Sequence, residues 1–171
     1  MKEMQIVGKF EKVSPDQFIE ALSELSDEQS VELMEIIYDG IQIPKRATKG
    51  SAGYDFKSPV SFHLEPNDTI TIPTGIRAEI SDGWCLVCMP RSGLGFKYRL
   101  RLDNTLGLVD SDYQYADNEG HIFVKMTNCG SKPLDILAGD SFVQAVFLPF
   151  GITEDDEANG VRTGGMGSTD K

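Results

Sequence analysis

From Ile41 to Phe150 the apolar residues recur with a period of two, and this alternation restricts the chain to sheet structure. Val60, Phe62 and Leu64 alternate, as do Ile70 and Ile72, then Ile76, Ala78 and Ile80, then Trp84, Leu86 and Cys88. Ile122, Val124 and Met126 repeat the pattern, followed by Val143, Ala145 and Phe147. Successive side chains of a strand face opposite sides, so each run presents one apolar face to a core. Turn signals separate the runs at Glu65–Asp68, Ser81–Gly83, Asn128–Ser131 and Ala138–Asp140. Many short strands at this spacing predict a sandwich or barrel rather than a parallel α/β sheet. A chain of 171 residues has room for one principal domain and enough core to fold without staples.

Residues 1–39 differ in texture. Ser14-Pro15-Asp16-Gln17 reads as a helix start, with a Ser cap, Pro in the first turn and Gln three residues on, and Phe18, Ala21, Leu22 and Leu25 follow at helical spacing. Ser26-Asp27-Glu28-Gln29 repeats the cap pattern before Val31, Leu33, Met34, Ile36 and Ile37, and Tyr38-Asp39-Gly40 ends that second helix. The expectation is an acidic helical extension over 1–39, packed on its own domain or a neighbouring subunit, with a protein partner as a further use. A β domain over 40–150 follows, then a C-terminal arm over 151–171. The arm opens with the acidic run Glu154–Glu157 and continues into Val161-Arg-Thr-Gly-Gly-Met-Gly-Ser-Thr-Asp170. Its glycines suit a frayed end; an arginine followed by glycines and hydroxyls also suits a flap that clasps phosphate.

Charge narrows the function classes. There are 27 acidic and 16 basic residues, a formal net charge of −11. That argues against a general nucleic-acid binder, whose affinity comes from cationic contacts to phosphates. Cys85 and Cys88 have CxxC spacing, but residues three apart on a strand point to opposite faces, so buried thiols are expected rather than a redox or zinc pair. The N-terminus carries no long apolar run, which predicts neither a secretory signal nor a membrane span and leads us to expect a cytoplasmic location.

Five segments carry chemistry-bearing residues. Asn104-Thr-Leu-Gly-Leu-Val-Asp-Ser-Asp-Tyr113 reads as two short apolar stretches meeting in a hairpin, with Gly107 allowing a close backbone approach. Asp110 sits where the apolar run stops, an expected site of partial desolvation for a base or a metal-directed acceptor, although an Asp-Ser-Asp turn alone needs no such role. Asp55 follows the Gly50–Gly53 turn. Arg91, Ser92, Gly93 and Gly95 form a segment whose guanidinium and N–H groups can converge on phosphate oxygens. Gln144 lies on a strand between apolar neighbours, and the Arg162–Thr169 flap is the fifth segment.

Together and in this order the segments resemble the five motifs of the trimeric dUTPase family over about residues 41–171. The motifs are Ala52-Gly-Tyr-Asp55, Pro90-Arg-Ser-Gly93, Asn104 with Gly107–Tyr113, Gly139-Asp140 with Gln144, and Arg162 with Gly164–Thr169. The resemblance implies an all-β, distorted jelly-roll barrel in a homotrimer with shared active sites. It implies Mg²⁺-assisted cleavage of dUTP to dUMP and pyrophosphate, limiting uracil in DNA and supplying dUMP for dTMP synthesis. Asp110 would be the base that activates water, with Asp55 supporting the centre. Arg91, Ser92, Gly93, Gln144 and Arg162 would hold the phosphates, and Mg²⁺ would be held through those phosphates and waters rather than by direct protein ligands. Tyr113 would lie against the deoxyribose, Asn104, Gly107 and Leu108 would read the uracil, and Gly165, Met166, Gly167 and Ser168 would close over the nucleotide.

The chain departs from the family pattern at three places. Met166 stands where an aromatic usually stacks on uracil; a thioether covers a ring through dispersion, with weaker stacking. The segment Gln114–Gly120 is longer than the usual turn, so Tyr115, Asp117 and Glu119 are candidates to reshape the site's rim or the trimer axis. The extension over 1–39 lies outside the family core. Two rivals stand beside the hydrolase. A dCTP deaminase of the same fold needs a proton-shuttling acid, commonly Glu in the hairpin, where this chain has Asp110-Ser-Asp112. A nucleotide-responsive regulatory protein would use the flap and the acidic helices to engage a partner.

Overall fold

Burial follows the period-two pattern. In the strand Ile76–Ile80 the three apolar residues are buried while Arg77 and Glu79 are not. A computed structural model describes residues 4–25, 30–160, 162, 164 and 165. Its elements are β1 (Gly8–Lys12), α1 (Pro15–Ser23), α2 (Val31–Gly40), β2 (Lys45–Arg46), β3 (Tyr54–Lys57), β4 (Phe62–Leu64), β5 (Thr69–Pro73) and β6 (Ile76–Ile80). They continue with β7 (Trp84–Pro90), α3 (Ser92–Tyr98), β8 (Leu100–Leu102), β9 (Gly107–Val109), a 3₁₀ turn at Ser111–Tyr115, β10 (Phe123–Asn128), β11 (Leu134–Ile136) and β12 (Ser141–Pro149).

The central sheet has the order β2-β3-β12-β7-β9, a second sheet has β5-β10-β8, and β1-β6 and β11-β4 form two-stranded ribbons. Every described pair is antiparallel. One core, including Phe56, Ile72, Leu86, Met126, Phe142 and Val143, lies between the sheets. This is the expected all-β, jelly-roll-like architecture. β7 is buried on both faces, with Cys85, Leu86, Val87 and Cys88 all covered. Both cysteines are free, as expected, and burial pushes the Cys88 thiol up to about 12.

The N-terminal segment is not wholly helical, contrary to expectation. β1 pairs with β6 from Gly8↔Ile80 to Lys12↔Ile76, and Phe10 enters the main core against Tyr54, Phe56 and Phe147. Its signal is weak because Phe10 is the one apolar residue among Gly8, Lys9, Glu11 and Lys12. α1 forms as expected: the Ser14 hydroxyl accepts the Gln17 N–H and Pro15 occupies the first turn. α2 is capped by Ser30, whose hydroxyl accepts the Leu33 N–H; the expected cap at Ser26–Gln29 lies outside the described residues. The two helices enclose a small core of Val13, Phe18, Leu22 and Met34. Among the described residues no helix is long and apolar enough to cross a membrane.

His121 joins that helical layer to the sheets. It is fully buried, its ring packs 4.4 Å from Phe123 and 6.3 Å from Phe18, and its Nε2 accepts the Gly75 N–H at 2.8 Å. The proton of the neutral ring is therefore on Nδ1, which has no partner among the described residues. Burial pushes the imidazole down to about 4. Between pH ~6.5 and ~4 the unfolded chain binds a proton that the folded chain does not, so stability falls as pH falls through this window. The loss over the whole window is roughly 2–4 kcal/mol at 1.36 kcal/mol per pKa unit. His63 runs the other way. Its bonds to Asp135 and Glu65 raise its pKa, so its contribution is complete below about pH 6.5 and fades only above it. We expect the unfolding midpoint to drop between pH 6.5 and 5, and His121→Gln, which keeps an acceptor, to flatten that slope. An equal slope in the variant would assign it to other groups.

Candidate active site

The residues singled out in the sequence fall into two groups on opposite parts of the central sheet. The first surrounds β9, the edge strand. Gly107 pairs with Cys88 of β7, and a Cβ at Gly107 would lie 3.1 Å from the Cys88 Cβ, the close approach that its sequence position suggests. The turn before β9 is not the expected hairpin. β8 pairs with β10 and β9 with β7, so Asp103–Leu106 carries the chain from one sheet to another. That turn is closed by the Thr105 N–H donating to the Leu102 carbonyl at 2.9 Å, with Thr105 in the left-handed region at φ 65°.

After β9 the 3₁₀ turn swings Tyr113 inward. Its ring is buried, and its hydroxyl donates to the His121 carbonyl at 2.8 Å. Together with Leu102, Asn104, Gly107, Leu108, Val109 and Phe123 it lines a cleft of about 160 Å³. Arg162 from the C-terminal arm lies across this cleft. Its Nη1 donates to Asp110 Oδ2 at 2.9 Å and lies 3.5 Å from Asp112 Oδ1, while its guanidinium carbon stands 4.9 Å above the Tyr113 ring. Arg162 is 14% exposed against 51% for Asp110. Asp110 is half covered, in line with the partial desolvation expected of it. The carboxylate keeps one side in solvent because it directly follows β9, an edge strand. Gly165 lies beside Asn118; Met166, Gly167 and Ser168 fall outside the described residues.

The second group lies on the other strands. Asp55 of β3 pairs directly with Gln144 of β12, and Gln144 with Met89 of β7. Arg91 follows β7, and its Nε stands 3.3 Å from Asp55 Oδ1. α3 begins at Ser92, so the first N–H groups of that turn lack partners within the helix. Arg91, Ser92, Gly93 and Lys97, with Asp140 and Ser141, line a recess of about 530 Å³. A Cβ at Gly53 would lie 2.7 Å from Gln144 Oε1, so the absence of a side chain there is what admits the Gln144 amide.

The two groups have complementary chemistry. The cleft offers an apolar slot, an aromatic wall and a carboxylate at its mouth beside a cation, which suits a planar ring joined to an anion. The recess offers a guanidinium, a hydroxyl and N–H groups, which suits a chain of phosphate oxygens. β3 and β9 are separated by three strand spacings, about 14 Å, so one chain does not bring Asp55 and Asp110 to the same atom. Sequence reasoning did not single out Gly53, hidden by the spacing of its contact, or Asn118, whose Asn-Glu-Gly setting signals a turn and nothing more.

Comparison with known proteins identifies the family. A family model described as dUTPase matches residues 39–169. The deoxyuridine 5'-triphosphate nucleotidohydrolase of Lactococcus lactis subsp. lactis is 41% identical over 133 residues, covering 76% of this chain and 89% of that protein. The protein of the same name from Haemophilus influenzae is 41% identical over 137 residues, covering 75% and 87%. Among solved structures, a dUTPase from Streptococcus mutans superposes with a TM-score of 0.61 at 31% identity, covering 85% of this chain and 98% of that one. A mutant dUTPase of a Staphylococcus aureus phage, described with a structural Mg(II) ion, has a TM-score of 0.59 at 22% identity over 71% and 92% of the two chains, a likeness of fold.

Gly53→Ala should displace the Gln144 amide without unfolding the sheet, because the colliding atom is the end of a flexible side chain. The Gln144 side-chain amide resonance is expected to move while the unfolding midpoint shifts by only a few degrees, about 1 kcal/mol or less. An unmoved resonance would show that Gly53 does not govern the approach.

Proposed function

The chain belongs to the dUTPase family, and on that footing we propose that it is a dUTP diphosphatase, cleaving dUTP to dUMP and pyrophosphate. The observation that carries this reading is Arg162, which lines the Tyr113 cleft and pairs with Asp110. Hydrolysis at the α-phosphorus needs a water activated opposite the departing pyrophosphate, and Asp110 is the base in that position. Its attack builds negative charge on the phosphate chain, which Arg91, Ser92, Gln144 and Arg162 stabilise. A triphosphate competes with Asp110 for the Arg162 guanidinium. Its arrival leaves the carboxylate free to take a proton while the arginine remains paired.

The cleft accounts for base and sugar selection. Asn104 and the backbone at Gly107–Leu108 face the base edge, where a matched donor and acceptor pattern accepts uracil and opposes cytosine. Gly107 already packs on Cys88, so the slot has little spare depth for a thymine methyl. Tyr113 faces the sugar and leaves no room for a ribose 2′-hydroxyl. By resemblance to the family, Gly165, Met166, Gly167 and Ser168 would close over the nucleotide, with Met166 in place of the aromatic that stacks on the base. Cleavage would keep uracil out of DNA and supply dUMP for dTMP synthesis.

Mg²⁺ fits this site as an ion that arrives with its substrate. No group of three or more His, Cys, Asp or Glu among the described residues forms a cage, and Mg²⁺ is commonly bound through phosphates, waters and one or two carboxylates. Triphosphate oxygens and waters would hold it, with Asp55 accepting from those waters. The ion supplies charge neutralisation on the phosphates. The roughly 14 Å between β3 and β9, which keeps Asp55 from Asp110 within one chain, supports a homotrimer in which one copy's recess meets another's cleft. Phe96, Leu108 and Ile152, exposed at 91%, 59% and 76%, are apolar surface that such contacts would cover. Three free cysteines, two of them buried, suit a reducing compartment such as the cytoplasm.

Pyrophosphate release with Mg²⁺ should be strong from dUTP and weak from dCTP, dTTP and UTP. Ammonia from dCTP would instead identify a deaminase, and no release from any of the four would remove the hydrolase reading. Asp110→Asn is expected to keep nucleotide binding and lose about 10²–10⁴-fold in turnover. Unchanged turnover would remove Asp110 as the base. Ending the chain after Phe150 should raise KM and lower kcat together; kinetics equal to the full chain would release the arm from any role.

A further inference from the structure

The segment after Tyr113, longer than the family turn, is wired to both ends of the chain. The Tyr113 hydroxyl spends its one proton on the His121 carbonyl at 2.8 Å and accepts the Asn118 side-chain N–H at 2.8 Å. Asn118 is itself fixed in place. Its Oδ1 accepts the Gly120 N–H at 3.2 Å, its carbonyl accepts the His121 N–H at 3.0 Å, and its Nδ2 lies 3.5 Å from where a Cβ on Gly165 of the arm would stand. Gly120 is required in this turn. Its φ is 72°, and a Cβ there would lie 2.8 Å from the Gln114 Cα.

The next link leads to the N-terminus. Glu119 adopts a left-handed conformation, φ 59°, and directs its carboxylate at α1. Oε2 accepts the Ser14 N–H at 2.7 Å and Oε1 accepts the Ser14 hydroxyl at 2.6 Å. A side chain held in this sparsely populated region persists where its surroundings over-determine it, and the two bonds to the cap of α1 do so here. Arg77 holds the other end of the loop through the Gln114 carbonyl at 3.2 Å. α1 lies before the residues 39–169 that match the family, so this attachment is a feature of the present chain beyond the family core.

We propose that Asn118 is a positioning residue for Tyr113 and that α1, through Ser14 and Glu119, holds the loop that carries it. The N-terminal helix thereby sets how strictly the cleft prefers deoxyribose to ribose. This rests on Tyr113 facing the sugar. A ring excludes a 2′-hydroxyl only while it cannot tilt away. The Tyr113 ring is pinned at its backbone end by the 3₁₀ turn and at its hydroxyl end by Asn118 and His121. Removing the Asn118 donor leaves the hydroxyl end held by the His121 carbonyl alone, and loosening Glu119 loosens the turn that carries Asn118.

The test compares binding of dUDP and UDP, each with Mg²⁺, by calorimetry on the full-length chain, together with kcat/KM for dUTP and UTP. Asn118→Leu keeps the branched shape and removes the donor, together with the Oδ1 that accepts the Gly120 N–H. Ser14→Asp keeps a helix cap but sets a carboxylate against Glu119, and Glu119→Gln added to it restores a donor–acceptor pair. The dUDP-over-UDP preference should fall about tenfold in Asn118→Leu, the effect of one hydrogen bond of ordinary net strength. It should fall severalfold in Ser14→Asp and recover in the double variant. An unchanged preference in both single variants, with only the unfolding midpoint lowered, would make the loop structural and overturn the proposal. A fall in Asn118→Leu alone would overturn the link to α1. A wild-type chain with no sugar preference would overturn the whole inference. Selective binding of dUDP without pyrophosphate release from dUTP would instead count against the hydrolase reading, and the binding ratios would still decide this one.

Discussion

The pairing of β12 with β3 on one side and β7 on the other is the constraint on which the rest of the structure depends. It sets Asp55, Gln144 and Met89 in one row across the sheet and leaves Arg91 at the end of β7, within reach of Asp55. The strand that does this is anchored by Phe142, Val143 and Ala145, all fully buried, with the larger two each contributing roughly 1.5–3 kcal/mol through the apolar surface they remove from water. The same order puts Asp55 three strands from β9, Gln144 two, and Arg91 at the end of the strand next to it. The width of one sheet thus keeps Asp55 and Asp110 apart within one chain, which is the constraint behind the proposed trimer.

Electrostatics works locally against an unfavourable global field. A chain of net charge −11 repels a triphosphate at long range, so the site depends on guanidinium groups already held in place. Both are paired to carboxylates, Arg91 to Asp55 and Arg162 to Asp110 and Asp112. Arg162 is the more enclosed, and its stacking over Tyr113 keeps it covered without leaving it unpaired. A phosphate that replaces the carboxylate exchanges one anionic partner for another, which avoids the penalty of a buried unpaired charge.

Most of the sheet was legible because strands and turns write themselves locally. Alternation at Ile76–Ile80 and Ile122–Met126, with turn residues between, needs no long-range information. β1 was not legible. Its single buried Phe10 becomes a strand residue only because β6 stands beside it, with Ala78, its partner, 68 residues downstream. The Asp103–Leu106 turn misled for the opposite reason: its local chemistry is that of a hairpin, while the partners of the strands on either side lie on different sheets. Candidate site residues such as Asp55, Arg91 and Tyr113 could be named from sequence because their neighbours carry the motif pattern. The grip of Arg162 on Asp110 could not, since it depends on where an edge strand ends and an arm returns.

The loop at 114–120 shows how an added segment is absorbed into a functional site. An insertion beside a cleft costs conformational entropy, and every residue it orders must be held by something. Here the holding groups come from outside the loop. Arg77 takes the Gln114 carbonyl, the Tyr113 hydroxyl takes the Asn118 amide, and the Ser14 cap takes both oxygens of Glu119. The last of these requires α1, whose own packing on the sheets runs through Phe18 and the buried His121 ring. His121 offers its carbonyl to Tyr113 and its Nε2 to Gly75, so one residue serves the cleft with its backbone and the helical layer with its side chain. An ordered loop and a docked helix therefore stabilise each other across the same residues. Any change that loosens one should be felt at Tyr113 before it is felt at Asp110.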